Sequence, residues 1–251
     1  MKVTFLGTAG SFICEERTYM SILVNTDLLL DCGEGTTQKL IKLGVIDELN
    51  IICISHLHND HFLGLFSLLW YYYINRRKRS IILIGPPETK KTVESILDLI
   101  HTPKNMRSFE ISYKLLEGNE ARIFELDYEI KASKMEHLDP TFGFRIRDGI
   151  SILCYSGDTR PHNGLIKLAQ NCDLFIGEAT YPDSLKDLAD EHFHSTPSQM
   201  AKLAKQAQCK KLALVHISPV FHNKIPIFQA HAETIFPNEV LIPNDLDSIQ
   251  F

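Results

Sequence analysis

Apolar residues gather in short runs along the chain, at positions 2–6, 21–24, 28–31, 51–54, 81–84, 143–147, 151–154, 173–176 and 211–215. Runs of that length, rich in Ile, Leu, Val and Phe, predict half or fully buried β-strands. Between them, helical patterns occur near 35–43, 63–75, 88–100, 161–170 and 197–207. The last opens with Ser195-Thr196-Pro197, where a hydroxyl cap precedes a proline suited to the first turn. Strands and helices thus alternate, but with stretches of consecutive strands. Asn25-Thr26-Asp27 and Arg147-Asp148-Gly149 read as hairpin turns, which need antiparallel neighbours. A purely parallel doubly wound sheet is therefore disfavoured, and an α/β fold of two mixed β-sheets with helices outside is predicted. No Pro-, Gly- or Ser-rich linker, repeat or low-complexity stretch interrupts the chain, so residues 1–251 are expected to form one domain.

Composition narrows the picture without deciding it. With 251 residues and 44% hydrophobic content, the chain can bury a sizeable core. A formal net charge of −5 and a pI near 6.1 give no global basic surface, so a nucleic-acid partner would need a local patch. The cysteines at 14, 32, 53, 154, 172 and 209 form no CxxC pair, and several sit in apolar runs; they are expected to be buried and reduced. The chain runs from Met1-Lys2 straight into Val-Thr-Phe-Leu, without the pattern of a signal peptide. Its longest apolar run, 62–74, is too short to cross a bilayer. A cytoplasmic protein with no membrane partner is expected.

The chemistry is concentrated in His56-Leu57-His58-Asn59-Asp60-His61, which follows the strand-like run 51–54 and precedes a helical pattern. Imidazole nitrogens and carboxylate oxygens are ligands that zinc and similar ions prefer, and a loop at a strand's carboxyl end is where α/β proteins usually place their sites. Isolated histidines are usually surface or satisfied core residues, and His101, His162, His222 and His231 are read that way. Further ligand candidates stand where strands should end: His137 after Tyr128–Lys131, Asp158 in Ser156-Gly157-Asp158-Thr159, and His216 after Leu212–Val215.

Read as HxHxDH, the segment 56–61 resembles the hallmark of the metallo-β-lactamase superfamily. Further matches point to ribonuclease Z and its relatives. They are Phe5-Leu6-Gly7-Thr8, Asp31-Cys32-Gly33-Glu34-Gly35-Thr36, Phe62-Leu63-Gly64-Leu65, Gly85-Pro86-Pro87, Ser156–Thr159, Gly177-Glu178-Ala179-Thr180, His194-Ser195-Thr196 and His216-Ile217-Ser218-Pro219. The resemblance implies an αββα sandwich with helices on both outer faces and a metal centre at one edge between the sheets. It implies two zinc ions, with manganese or iron as substitutes. His56, His58 and His137 would hold one, Asp60, His61 and His216 the other, and Asp158 would bridge them. A hydroxide shared by the ions would attack a phosphodiester. Asp60 would also take a proton, His194 would protonate the leaving oxygen, and Glu178 would orient His194; a plain surface or capping glutamate is an equally open reading of Glu178. His192 is read as a bystander.

The sequence also departs from the pattern. Ribonuclease Z enzymes that process tRNA carry a long arm between the third metal motif and the Gly-Asp-Thr motif, yet here twenty residues separate His137 from Asp158. Asn59, Glu88 and Val220 replace residues common in the family. The dense basic run Arg76–Arg79 follows Trp70-Tyr71-Tyr72-Tyr73, and a helix end with its solvated cap is favoured there over a base-stacking surface. The expected activity is a two-metal phosphodiesterase whose substrate is a small molecule or an RNA. The tRNA 3′-end endonuclease is the alternative, and a homodimer is left open. A redox iron site is disfavoured, because superfamily members of that kind usually carry an acid where His58 stands. A purely binding role would leave Asp60 and His194 without purpose.

Overall fold

The computed structural model covers residues 1–251. Fourteen strands build two seven-stranded sheets. The first contains β1 (Lys2–Gly7), β2 (Ser21–Val24), β3 (Leu28–Leu30), β4 (Ile51–Cys53), β5 (Ile81–Gly85) and β6 (Ile111–Leu115). The second contains β7 (Glu120–Glu125), β8 (Tyr128–Lys134), β9 (Phe142–Asp148), β10 (Ser151–Tyr155), β11 (Leu174–Glu178), β12 (Lys211–Val215) and β13 (Glu239–Leu241). The last strand, β14 (Ser248–Gln250), returns to pair with β1. Each sheet is antiparallel in one half and parallel in the other. In the first sheet β14-β1-β2-β3 are antiparallel and β3-β4-β5-β6 parallel; in the second β7-β8-β9-β10 are antiparallel and β10-β11-β12-β13 parallel. The hairpin turns read from Asn25–Asp27 and Asp148-Gly149 make two of the antiparallel links.

The helices are α1 (Thr36–Leu43), α2 (Asn59–Phe62), α3 (Gly64–Ile74), α4 (Thr89–Leu99), α5 (Asn163–Ala169), α6 (Lys186–Glu191), α7 (Pro197–Gln206) and α8 (Ile225–Glu233). Side chains of α1, α3 and α4 join the outward residues of the first sheet in one apolar cluster, and those of α5, α7 and α8 join the second sheet in another. A third cluster, including Phe5, Ile22, Ile51, Phe144, Leu153 and Val215, lies between the sheets. The layers are thus helix, sheet, sheet, helix. Burial of each such side chain is worth about 1.5–3 kcal/mol, which explains why the apolar runs locate the inner strands so well.

The helix expected over 63–75 is α3, and the chain breaks at Leu63 from a short preceding helix, α2, that the sequence reading did not anticipate. The break fits a close crossing: a Cβ on Gly64 would lie 1.9 Å from the Gly33 carbonyl oxygen, so the chain can pass there only as glycine. Thr196 and Gln199 form a full capping box at the start of α7, as the Thr196-Pro197 step suggested. Five cysteines are buried and all six are free, but Cys14 is not a core residue: it lies part-exposed in the loop between β1 and β2. No helix is long and apolar enough to cross a membrane.

Candidate metal centre

Every proposed ligand stands just past the carboxyl end of a strand, on one shared edge of the sandwich. His56–His61 follow β4, His137 follows β8, Asp158 follows β10 and His216 follows β12. The sheets are joined at this edge. Phe142 N donates to Ser55 O at 2.9 Å, and Tyr155 Oη, from the second sheet, donates to Asp31 Oδ2 of the first at 2.6 Å. His58, with extended backbone, starts α2, so Asp60 and His61 fall in one short helical turn. Cys32 N donates to His61 O at 2.7 Å and fixes that turn over the Asp31–Gly33 loop.

The donor atoms of His56, His58, His137 and Asp158 lie within 4.8 Å of one another, and so do those of Asp60, His61 and His216. Asp158 stands between the groups. Its Oδ1 is 3.3 Å from His61 Nε2, and its Oδ2 is 3.3 Å from His216 Nε2 and 3.7 Å from His56 Nε2. All but His58 and His137 are buried.

The surrounding bonds decide which ring nitrogen faces inward. His61 Nδ1 donates to Asp31 Oδ2 at 2.7 Å, and His137 Nδ1 to Phe193 O at 3.2 Å. His216 Nδ1 donates to Thr180 Oγ1 at 2.8 Å, whose own proton goes to Glu178 Oε2 at 2.9 Å. Ser55 Oγ gives its proton to Asp31 Oδ2, leaving it to accept from His56 Nδ1 at 3.0 Å. His58 is reversed: Nε2 donates to Asp139 Oδ2 at 2.7 Å. In the neutral ring, the form that binds a metal, each inward nitrogen therefore presents a lone pair. His61 Nε2 and His216 Nε2 face each other at 3.2 Å, and His58 Nδ1 and His137 Nε2 at 3.4 Å. Lone pairs gathered this way repel unless a cation lies among them, and the buried His56 Nε2 and Asp158 Oδ1 have no hydrogen-bond partner. The donor set suits zinc-class ions.

Charge points the same way. Burial would raise Asp60 and Asp158, but His61 and His216 hold both well below the usual carboxylate range. Burial would lower His61, yet Asp158, Asp60 and Asp31 lift it well above the ordinary imidazole value. Three carboxylates around one ring make a strongly negative locus. Burial pulls His56 and His137 down, which keeps them neutral and able to ligate.

His194 lies at the border of this cluster, its ring stacked on His216 with centroids 5.5 Å apart. Nδ1 donates to Glu178 Oε1 at 2.8 Å, which leaves Nε2 free. Glu178 is no surface residue. It is buried, and it also accepts from the backbone N–H groups of Thr159, Thr180 and Ser195. One carboxylate thus ties together the segments that carry Asp158, His194 and His216. Burial would lower His194, but the Glu178 charge and hydrogen bond more than offset it and lift the imidazole to about 9.

Two contributors escaped the reading of the sequence as functional groups. Asp31, buried at a positive φ of 57°, accepts from Ser55 N, Ser55 Oγ, Tyr155 Oη and His61 Nδ1. Asp139 sits on His58. The signal for Asp31 was a carboxylate directly after the apolar run 28–30; Asp139 left none. Of the other histidines, His192 pairs with Tyr181 Oη, His162 caps α5, and His231 meets Asp183, all away from the cluster. In the basic run, Arg77 stacks on Tyr72 and bonds Leu49 O, and Arg79 bonds Asp47 O and Glu48 O; both fasten the end of α3 to the loop before β4 and do not cap the helix carbonyls.

A family model described as "Beta-lactamase superfamily domain" matches residues 26–217. Ribonuclease Z of Picrophilus torridus is 32% identical, over 96% of this chain and 93% of the relative. The chain belongs to the ribonuclease Z family of the β-lactamase superfamily. The crystal structure of human tRNase Z, short form (ELAC1), is 29% identical, with a TM-score of 0.83 and coverage of 100% of this chain and 99% of that one. The metallo-β-lactamase fold protein YhfI from Bacillus subtilis matches in fold, with a TM-score of 0.85 over 99% of this chain and 98% of that one at 20% identity. As a member of this family, the chain is a metal-dependent phosphodiester hydrolase, and its His/Asp cluster suits a divalent metal. The alignment to the Picrophilus enzyme runs over 295 positions, more than the 251 residues of this chain, so that relative carries insertions absent here.

Proposed function

We propose that this chain is a binuclear phosphodiesterase, loaded with zinc, whose natural substrate is smaller than a tRNA precursor or held differently from one. What carries the reading is the set of seven side chains with inward lone pairs around Asp158, more donors than one four-coordinate ion can use. His56, His58 and His137 would hold one ion, Asp60, His61 and His216 the other, with Asp158 shared. When bound, such ions supply a water acidic enough to attack at neutral pH and positive charge for the phosphoryl oxygens.

The chain's own groups do the rest. Ser11 N holds Asp60 Oδ2 at 2.8 Å, and no protein donor reaches Oδ1, which is the oxygen available to take a proton from the attacking water. His194 keeps one proton on Nδ1 toward Glu178 and offers the one on Nε2 to the leaving oxygen. Glu178 supports the charged imidazole that this role needs.

Replacing His194 with alanine tests the assignment. Metal content and melting temperature should hold, while turnover of an alkyl or nucleoside ester falls about 10²–10⁴-fold, the usual contribution of a positioned proton donor. A nitrophenyl ester, whose leaving group needs little protonation, should suffer much less. Equal losses on both esters reject the general acid.

The likeness to ribonuclease Z and tRNase Z relatives favours a second reading, the tRNA 3′-end endonuclease. Between His137 and Asp158, however, β9, β10 and their turn occupy nearly the whole stretch, with no arm. Pre-tRNA should therefore be cut poorly beside an arm-bearing relative, with a shallow loss of affinity as salt rises; comparable cleavage with a steep salt slope promotes the endonuclease.

A further inference from the structure

A cluster of ligand-type side chains stands outside the hydrolytic centre. Cys14 Sγ lies 3.3 Å from His222 Nδ1 and 3.4 Å from Glu16 Oε2, and the three donor atoms fall within 4.8 Å of one another. A tetrahedral zinc ion with its usual bond lengths to sulfur and nitrogen keeps its ligands ~3.5 Å apart. We propose that Cys14, Glu16 and His222 form an additional metal site that takes a thiophilic divalent ion of the zinc class, with water completing the shell.

The chemistry of the donors selects the ion. A thiolate and an imidazole beside one carboxylate suit zinc, cobalt or nickel, and disfavour magnesium and calcium, which want oxygen only. Cys14 is the one cysteine outside the buried core, so it alone can exchange a proton for an ion at the surface. The frame is already built. Cys14 N donates to Arg17 O at 3.0 Å, closing the turn that brings Glu16 beside the sulfur. The Arg17 guanidinium anchors that turn on Thr8 Oγ1, Pro243 O and Asn244 Oδ1. Phe221 N donates to Ser218 O at 2.8 Å in the 3₁₀ turn Pro219–Lys224 that presents His222. The ion would meet one thiolate and one carboxylate, so its charge is matched.

The position gives the site a consequence. Its ligands belong to two segments that also reach the hydrolytic centre. Gly10 lies against the His216 ring, Ser11 N holds Asp60, and the Pro219 turn begins three residues after His216. An ion held by Cys14, Glu16 and His222 fastens these two segments together at the rim.

Cobalt(II) reads the site separately from the hydrolytic centre, whose seven donors include no sulfur. Titrating cobalt into metal-stripped, reduced protein should bring up a thiolate-to-cobalt charge-transfer band, which added zinc then removes. Cys14→Ser should abolish the band, and His222→Ala should weaken cobalt binding at this site by ~10-fold or more, since even an outer partner of a ligand is commonly worth that much. In both variants the ions of the hydrolytic centre, counted by elemental analysis after dialysis, should remain, and circular dichroism should show the native fold. A folded wild-type protein with no such band overturns the proposal, and so does a band that survives Cys14→Ser.

Discussion

The two halves of the metal cluster use the same kinds of side chain in unlike surroundings. Around Asp60, His61 and His216 everything is buried: Asp31 and His61 are fully enclosed, and His216 leans on Thr180 and through it on Glu178. Around His58 the opposite holds, with 37% of its side chain and 59% of its partner Asp139 exposed. The enclosed half is held in one geometry by buried hydrogen bonds, whereas in the open half only His56 is held that way, through Ser55, and His58 depends on a solvated pair. Buried partners of this kind fix ring orientation and metal affinity; exposed ion pairs contribute little. The enclosed half should therefore set the site's rigidity, and the open half should be the side on which substrate and solvent arrive.

The comparison breaks most sharply at Asp31. Asp31→Ala leaves His61 Nδ1, Ser55 and Tyr155 Oη without their acceptor in the core. It should cost about 3–5 kcal/mol of stability, as loss of one partner from a buried pair does. Metal affinity should fall roughly 10–100-fold. Denaturant unfolding and metal titration check both figures, and a variant as stable as wild type would remove the distinction between the halves.

Glu178→Gln is expected to act next, through pH. In the metal-free protein His194 titrates at about 9, above its ordinary value of 6.5. A raised value stabilises the fold fully below pH 6.5, and that contribution is lost as pH rises through about 9, roughly 3 kcal/mol in all. Wild-type melting temperature should thus fall between pH 6.5 and 9, and Glu178→Gln should flatten that slope. The slope rather than the level is diagnostic, because glutamine also disturbs the backbone donors of Thr159, Thr180 and Ser195. An unchanged slope would detach Glu178 from His194.

The smallest effect belongs to the open half. Asp139→Ala removes only a solvated partner of His58 and should change stability by no more than about 1 kcal/mol. Metal affinity should drop less than for Asp31→Ala in the same titration. A loss as large as that of Asp31→Ala would show that exposure does not distinguish the halves.

Much of this was written locally in the chain. The inner strands β1 to β5 and β9 to β12 are short apolar runs because both of their faces are covered, by the other sheet on one side and by helices on the other. HLHNDH is legible because its ligands are neighbours along the backbone. The strands missed, β6, β7, β13 and β14, lie at or near sheet edges, where water on one side dilutes the apolar signal; in β7 exposed and half-buried residues simply alternate. Helices α2, α6 and α8 also went unread, being short or weakly patterned. Tertiary structure alone decided the rest. Asp31 meets His61 across 30 positions, Thr180 meets His216 across 36, and Cys14 meets His222 across 208. A single carboxylate, hydroxyl or thiol carries no periodicity, so the apolar run before Asp31 marks its place but not its partners, and nothing local separates Cys14 from a core cysteine. Their chemistry comes from what the folded sheets and loops bring beside them, and from the water that folding removes.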